Sequence, residues 1–258
     1  MDSVINTAVK VYEELASMGW AAEGTRPGGL ALTRRSFELA ELSPGSTMVD
    51  LGCGAGASLE YVRLNNADIN AFGLDKSEKM LGLSSEMTSS DSLIRGDFHE
   101  LPFRDDSLDA VLVECSLSLV SYSNAVMAEL NRILKKGGKL IVTDVYLRQF
   151  PEIELGDSIR SECCFKGAKS KDQILDLLEQ SGFGISVWED HSRILKDFAV
   201  RLILMYGSME LFWRQMLADC DGLQVFEQSM RKAKPGYYML LASKTDSFRR
   251  NGPAQGHK

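Results

Sequence analysis

The residues able to do chemistry gather around one glycine run. Val49-Asp50-Leu51-Gly52-Cys53-Gly54-Ala55-Gly56 follows a short apolar stretch and opens a helical one. Glycines at such a turn allow positive φ and let a ligand approach the backbone closely. Gly52, Gly54 and Ala57 also fit the G-x-G-x-x-G/A pattern of dinucleotide sites. The run alone therefore leaves its ligand open, and a plain glycine turn with no ligand stays a possible reading.

Three acidic residues around the run narrow the choice. Asp50 stands just before the glycines. A carboxylate there would repel a pyrophosphate resting on the helix N-terminus, but would suit the positive amino group of a methionine moiety. Asp75 ends Phe72-Gly73-Leu74-Asp75, where a carboxylate can accept from both ribose hydroxyls. That feature alone does not discriminate between nucleotides. Asp97, in Gly96-Asp97-Phe98, can accept from an adenine amino group while Phe98 offers an apolar face; a helix cap is the alternative role. Together these residues favour S-adenosylmethionine over a nicotinamide dinucleotide.

The elements that must position these groups alternate. Thr47 to Leu51, Asn70 to Leu74, Ser92 to Arg95, Leu108 to Glu114 and Lys139 to Val145 read as strands. Helices are expected to Asn65, near Ser77 to Ser84, and over Ser123 to Leu134, with Lys135-Lys136-Gly137-Gly138 as a turn. Such alternation implies right-handed βαβ units and a mostly parallel sheet. Helices over Ile5 to Trp20 and Leu30 to Leu42 precede it, separated by a Gly- and Pro-rich loop that ends in Pro27-Gly28-Gly29. Further on come a helix, Lys171 to Gln180, a strand, Gly184 to Glu189, a long helical region, 192–232, and a last strand, Tyr237 to Ala242.

With these motifs in place the chain resembles the class I S-adenosylmethionine-dependent methyltransferases, the ubiquinone-biosynthesis or "type 11" group in particular. The matching stretches are Val49 to Gly56, Gly73-Leu74-Asp75, Gly96-Asp97 with Leu101-Pro102-Phe103, Ser107 to Val111, and Leu134 to Leu140. The resemblance implies an α/β, Rossmann-like, doubly wound seven-stranded sheet, mostly parallel, with an antiparallel C-terminal strand. It implies a single methyltransferase domain over 1–244. Within it lie a helical N-terminal cap (5–42), a cofactor-binding core (45–145) and a helical insert (192–232) before the last strand, with a disordered tail over 245–258. The N-terminal segment and the insert are expected to cover the site as a lid; ordinary core packing or a dimer contact is the plainer reading of the insert's apolar stripe. Asp50, Gly52, Cys53, Gly54 and Gly56 would cradle the methionine end. Asp75 would take the ribose, Lys76 and Met80 would flank the adenosine, and Gly96, Asp97 and Phe98 would hold the adenine. Glu114, Cys115 and Ser116 would line the floor of the transfer site.

On the acceptor side no general base is obvious. Asp144, near the end of the strong fifth strand, and Tyr146, just after it, are candidates to polarise an acceptor. Glu162-Cys163-Cys164-Phe165-Lys166-Gly167-Ala168 resembles the cysteine loop of arsenite methyltransferases, as Glu114-Cys115-Ser116-Leu117 resembles their Asn-Cys segment. That resemblance makes Cys164 a candidate for handling a soft acceptor, with Cys220 as a second thiol. It is partial, because Ala57-Ser58-Leu59-Glu60 lacks the cysteine that the group carries after its glycine run. The alternative role is a small buried hydrophobe.

Composition bounds the rest. The chain has 258 residues, 44% hydrophobic and 25% charged, and a net charge of −7. Those are ordinary globular values, and the acidic balance disfavours binding to phosphate backbones. No Asn-Pro-Pro-aromatic run of base-flipping enzymes is present. No apolar run reaches the length of a membrane span, and the start lacks the pattern of a secretory signal. Five cysteines without a C-x-x-C pair, and three scattered histidines, give no metal site and fit a reducing cytoplasm. The expected protein is thus a cytoplasmic monomer or homodimer acting on a small molecule without metal, nucleic acid or membrane. A non-catalytic subunit that binds S-adenosylmethionine, and a nicotinamide oxidoreductase, are the other readings.

Overall fold

The computed structural model describes residues 12–17, 26–149, 163–216 and 223–246. Residues 12–17 form a short helical piece. The elements that follow are α1 (Gly29–Ala40), β1 (Thr47–Leu51), α2 (Ala57–Asn65), β2 (Asn70–Asp75), α3 (Glu78–Met87), β3 (Leu93–Arg95), β4 (Leu108–Glu114), α4 (Asn124–Ile133) and β5 (Leu134–Leu147). The second half adds α5 (Lys171–Gln180), β6 (Phe183–Asp190), α6 (Ser192–Tyr206), α7 (Met209–Met216), α8 (Leu223–Ala233) and β7 (Pro235–Lys244).

Among the described residues seven strands make one sheet, in the order β3-β2-β1-β4-β5-β7-β6. β1 pairs in parallel with β2 and β4, and β4 with β5, whereas β7 runs antiparallel between β5 and β6. β4 and the middle of β5 are almost wholly buried, as strands covered by helices on both faces must be. On one face α4 and α5 pack Met127, Leu130 and Ile174 against Val111, Val113 and Leu140. On the other, α1 packs Phe37 and Ala40 against Met48, Leu112 and Ile141.

Local sequence sets the helix starts. Ser77 and Ser123 accept from the backbone N–H groups of Met80 and Val126, and Ser170 with Gln173 forms a capping box at α5. The expected strands at 47–51 and 108–114 and the helix at 171–180 have those bounds. The expected turn at Lys135 to Gly138 does not interrupt the chain; it is the opening of β5. Leu108 pairs with Leu134 but Ala110 pairs with Lys139, so the extra residues bulge out, helped by Gly137 at φ 75°. The helical region at 192–232 is broken after Tyr206, where Gly207 takes φ 87°. The outer parts of the N-terminal helix, Cys220 and the tail from 247 lie outside the described residues.

Order reverses between β1 and β4, and ligands of open α/β sheets bind at that switch point, beyond the carboxyl ends of the strands. The glycine run leaves β1 there.

Candidate active site

Gly52, Gly54 and Gly56 have φ of 76°, 55° and 86°, values that side chains rarely adopt. A Cβ on Gly52 would meet the Ser116 side chain, one on Gly54 would meet Met80 Cε at 3.2 Å, and one on Gly56 would run into Ser84. The carbonyl of Leu74 accepts from Gly52 N–H at 2.7 Å and Cys53 N–H at 3.1 Å. Asp75 completes the loop: its Oδ2 accepts from Gly54 N–H at 2.9 Å and its Oδ1 from Ser77 N–H at 2.8 Å. Burial raises its pKa, opposed by these same N–H groups.

The glycine loop walls a cavity of about 290 Å³, within which Gly52, Gly54, Asp75, Lys76, Met80, Gly96, Asp97, Phe98, Glu114, Cys115 and Ser116 all stand, with Tyr12 and His99. Asp50, Cys53 and Gly56 do not line it. The Cys53 side chain is buried, and a Cβ on Gly73 would lie 2.9 Å from its sulfur, so the residue reaches the loop through backbone only. Asp97 faces the cavity with its Oδ1 already accepting from His99 N–H at 2.9 Å and lying 2.6 Å from His99 Nδ1. No helix starts there, so the alternative role of a helix cap does not hold: the carboxylate closes a turn over residues 97–100 and at the same time faces the cavity.

Below the loop lies a buried charge cluster. Arg26 Nη2 lies 2.8 Å from Glu114 Oε2 and also donates to Thr33 and Ser58. Thr33 and Ser58 in turn donate to the two Glu114 oxygens at 2.9 and 2.5 Å. Burial works against the Arg26 charge, but Glu114, together with Tyr237, Asp50 and Cys115, offsets it and raises the guanidinium's pKa. Asp50 is buried beside this cluster, and burial, then the Glu114 charge, push its carboxyl well above the ordinary range while Arg26 pulls the other way. A cationic group near the loop would relieve both penalties.

A second cavity, of about 430 Å³, lies beside the first. Its walls come from α6, α7 and α8, the turn at Cys163 to Phe165, and Val145 at the end of β5. Tyr12 and Cys115 line both cavities. Cys115 holds φ 55°, a left-handed conformation fixed by its N–H bond to the Thr143 carbonyl at 2.7 Å. Such strain in a non-glycine residue is commonly stored at working sites.

Of the described residues expected to act on an acceptor (Asp144, Tyr146 and Cys164), Cys164 reaches this space. It lines the second cavity within hydrogen-bonding reach of Cys115 and Tyr12. The Cys115 contact and burial push its thiol well above the ordinary value, so it is held protonated. Asp144 lines neither cavity. It is fully buried and accepts from Ser118 N–H at 2.8 Å, Ser118 Oγ at 2.7 Å and Val145 N–H at 2.7 Å, which fixes the turn after β4. Burial pushes its pKa up to about 6. Tyr146 also lines neither; it donates to Asp190 at 3.1 Å and packs edge-on against Trp188 and Tyr238. Its position after β5 was legible, but its direction, toward β6 and β7, was not.

Sequence reading missed Tyr12, Arg26, Thr33 and Ser58. Tyr12 looked like one apolar position of an amphipathic helix, and the other three sit in a loop and on α1 and α2 with no motif around them. Among the described residues no cluster of His, Cys, Asp and Glu is fit to hold a metal, and no helix is long and apolar enough to cross a membrane.

A parallel sheet with an antiparallel strand inserted near its edge, a glycine cradle at the switch point and acids ending β1 and β2 define a class of protein. The chain carries a class I S-adenosylmethionine-dependent methyltransferase domain, and S-adenosylmethionine is the cofactor of that class. Residues 49–142 match the family model described as a methyltransferase domain. An arsenite methyltransferase of Halobacterium salinarum is 26% identical over 151 residues, covering 56% of this chain and 39% of that protein. A demethylmenaquinone methyltransferase of Thermotoga maritima is 31% identical over 105 residues, covering 41% and 45%. The chain thus spans less than half the length of either relative. Among solved structures, the [4+2]-cyclase SpnF superposes with a TM-score of 0.69 at 22% identity, covering 94% of this chain and 96% of that one. At that identity the likeness speaks for the fold alone.

Proposed function

We propose that this chain transfers a methyl group from S-adenosylmethionine to a small-molecule acceptor seated in the second cavity. The observation that carries the proposal is the shared wall: Tyr12 and Cys115 border both the glycine-loop cavity and its neighbour. Two ligands held on either side of one wall meet there, which is what transfer between them requires.

The residues present fit the cofactor. Glycine positions that a Cβ would block form the cradle, and the acids Asp50 and Glu114 have Arg26 beside them as a cation, an environment that a second positive charge would relieve. When bound, S-adenosylmethionine supplies an electrophilic methyl on a positively charged sulfur. Asp50 and Glu114 then favour the cationic methionine end, Asp75 accepts from the ribose, Lys76 and Met80 flank the adenosine, and Gly96, Asp97 and Phe98 hold the adenine. Residues 1–244 act as one unit in this reading, with α6, α7, α8 and the N-terminal segment covering the acceptor. The four described cysteines are buried and form no disulfide among the described residues, in keeping with a reducing compartment.

A second reading, transfer to trivalent arsenic, is favoured by Cys115, Cys163 and Cys164 lining one cavity and by the arsenite methyltransferase relative. Against it stands the protonated state of Cys164. SpnF, a cyclase by its printed name, shares the fold, and a fold does not by itself fix the reaction. The test is calorimetric titration with S-adenosylmethionine, then release of S-adenosylhomocysteine with a panel of organic acceptors and with arsenite plus glutathione. Turnover with an organic acceptor supports the proposal. Turnover with arsenite alone, lost in Cys164→Ser, moves it to the second reading. Binding without turnover on any acceptor supports a non-catalytic subunit, and absence of binding refutes all three.

A further inference from the structure

We infer that the acceptor is an uncharged molecule with a hydrocarbon body, lodged among α6, α7 and α8 with its polar atom at Tyr12; this deepens the transfer reading and rests on it. The cavity wall is built from Phe198, Leu202, Met209, Phe212, Trp213 and Met230. Its size falls within the roughly 300–1,000 Å³ range of small-ligand pockets. The aromatic part is braced: Trp213 stacks edge-on with Phe212 at 4.8 Å, Phe226 at 5.3 Å and Phe165 at 6.0 Å between ring centres. Rings locked in this way keep a space open rather than collapse into it.

Charge is confined to one side of the wall. Glu227 and Arg231 stand one turn apart on α8, the first half-buried and the second exposed, so they mark the rim. Away from the rim, the side chains with polar groups are the Tyr12 hydroxyl, the Trp213 indole N–H and the thiols of Cys115, Cys163 and Cys164. Burial holds Tyr12 as the neutral phenol, Cys164 is held as the thiol, and an indole carries no charge, so none of these three supplies a counter-ion. An ionic acceptor entering this space would lose its hydration without finding a counter-ion, whereas an apolar one gains by burial. Tyr12 can donate or accept one hydrogen bond, enough to orient a hydroxyl, carbonyl or thiol at the wall shared with the cofactor cavity.

The test uses the full chain and a neutral fluorescent probe, N-phenyl-1-naphthylamine, whose emission rises in apolar surroundings. The probe is expected to bind saturably, and to bind about tenfold more weakly or worse in Ala199→Trp, which fills the cavity, and in Met209→Lys, which charges it. Calorimetric affinity for S-adenosylmethionine is expected to stay within about twofold in both variants, since neither residue lines the first cavity. If Ala199→Trp fails to fold by circular dichroism, Met209→Lys carries the result. Neutral 2-naphthol should displace the probe at about a tenth of the concentration that 2-naphthoate needs. No saturable binding, binding unchanged in the folded variants, or equal displacement by naphthoate overturns the inference. Probe binding without affinity for S-adenosylmethionine refutes the transfer reading instead, and the two failures are therefore distinct.

Discussion

Asp75 gives the sharpest test of the cofactor site. Its carboxylate uses both oxygens within the chain, on Gly54 N–H at 2.9 Å and Ser77 N–H at 2.8 Å, and lines the first cavity with the remaining lone pairs. A carboxylate oxygen accepts more than one bond, so the ribose hydroxyls can be added without breaking the loop. Asp75→Asn keeps the shape but turns one acceptor into a donor, which must then face a backbone N–H. One charge-assisted bond is lost and one buried N–H is left unpaired. At about 1.5–3 kcal/mol for a hydrogen bond to a charged group, affinity for S-adenosylmethionine should fall roughly 10- to 150-fold. Asp75→Ala should fall at least as far, because it removes both the ribose acceptor and the clamp between the loops after β1 and β2. Titration calorimetry reads the affinity, and thermal unfolding without ligand reads the loop. A variant that melts earlier yet binds S-adenosylmethionine as tightly as the parent would mean that Asp75 braces the loop and does not touch the ligand, and the reasoning would fail.

Asp144 should govern part of the pH dependence of stability. Burial raises its pKa from 3.8 to about 6, so between about pH 4 and 6 the folded chain keeps a proton that the unfolded chain has released. Stability from this group therefore falls as pH rises through that window, by about 3 kcal/mol in all for a shift of about two units. Asp144→Asn should lose that slope in urea unfolding from about pH 4 to 7; an equally steep slope in the variant contradicts the assignment. Cys164, with its thiol pushed up by Cys115 and burial, should react with iodoacetamide near neutral pH at least about tenfold more slowly in the folded chain than in the unfolded one. Equal rates would show an accessible thiolate and revive the arsenite reading.

The parts of the fold that were legible in the sequence are those where local pattern and burial agree. β4 is a run of apolar residues bounded by breakers, and α5 has its capping box and apolar spacing, so both have the expected bounds. The bulge at 135–138 was not legible, since Lys-Lys-Gly-Gly reads as a turn unless the partner strand is known. The same holds within the site. Gly52, Gly54, Asp75, Asp97 and Glu114, singled out because the chemistry of a strand-to-helix turn restricts residue types near it, all line the first cavity. Asp144 and Tyr146 were placed at the correct strand end but given the wrong surroundings, because which way a side chain faces depends on which strand lies alongside. Here β7, distant in the chain, sets Tyr146 edge-on against the stacked rings of Tyr238 and Trp188.

The sequence by itself determined the class of the domain: alternation of strand and helix, a glycine turn after the first strand, and acids near the ends of the first strands. These are local properties, set by backbone conformation and by residues near one another in the chain. The tertiary structure alone decided what stands on the other side of the transfer wall. Tyr12, Cys115, Cys164 and the helices after β6 are far apart in sequence, and no periodicity links them. Folding brings them together around one mostly apolar cavity. The motifs that mark the domain are local in sequence, whereas the wall between the two cavities exists only once distant parts of the chain have met.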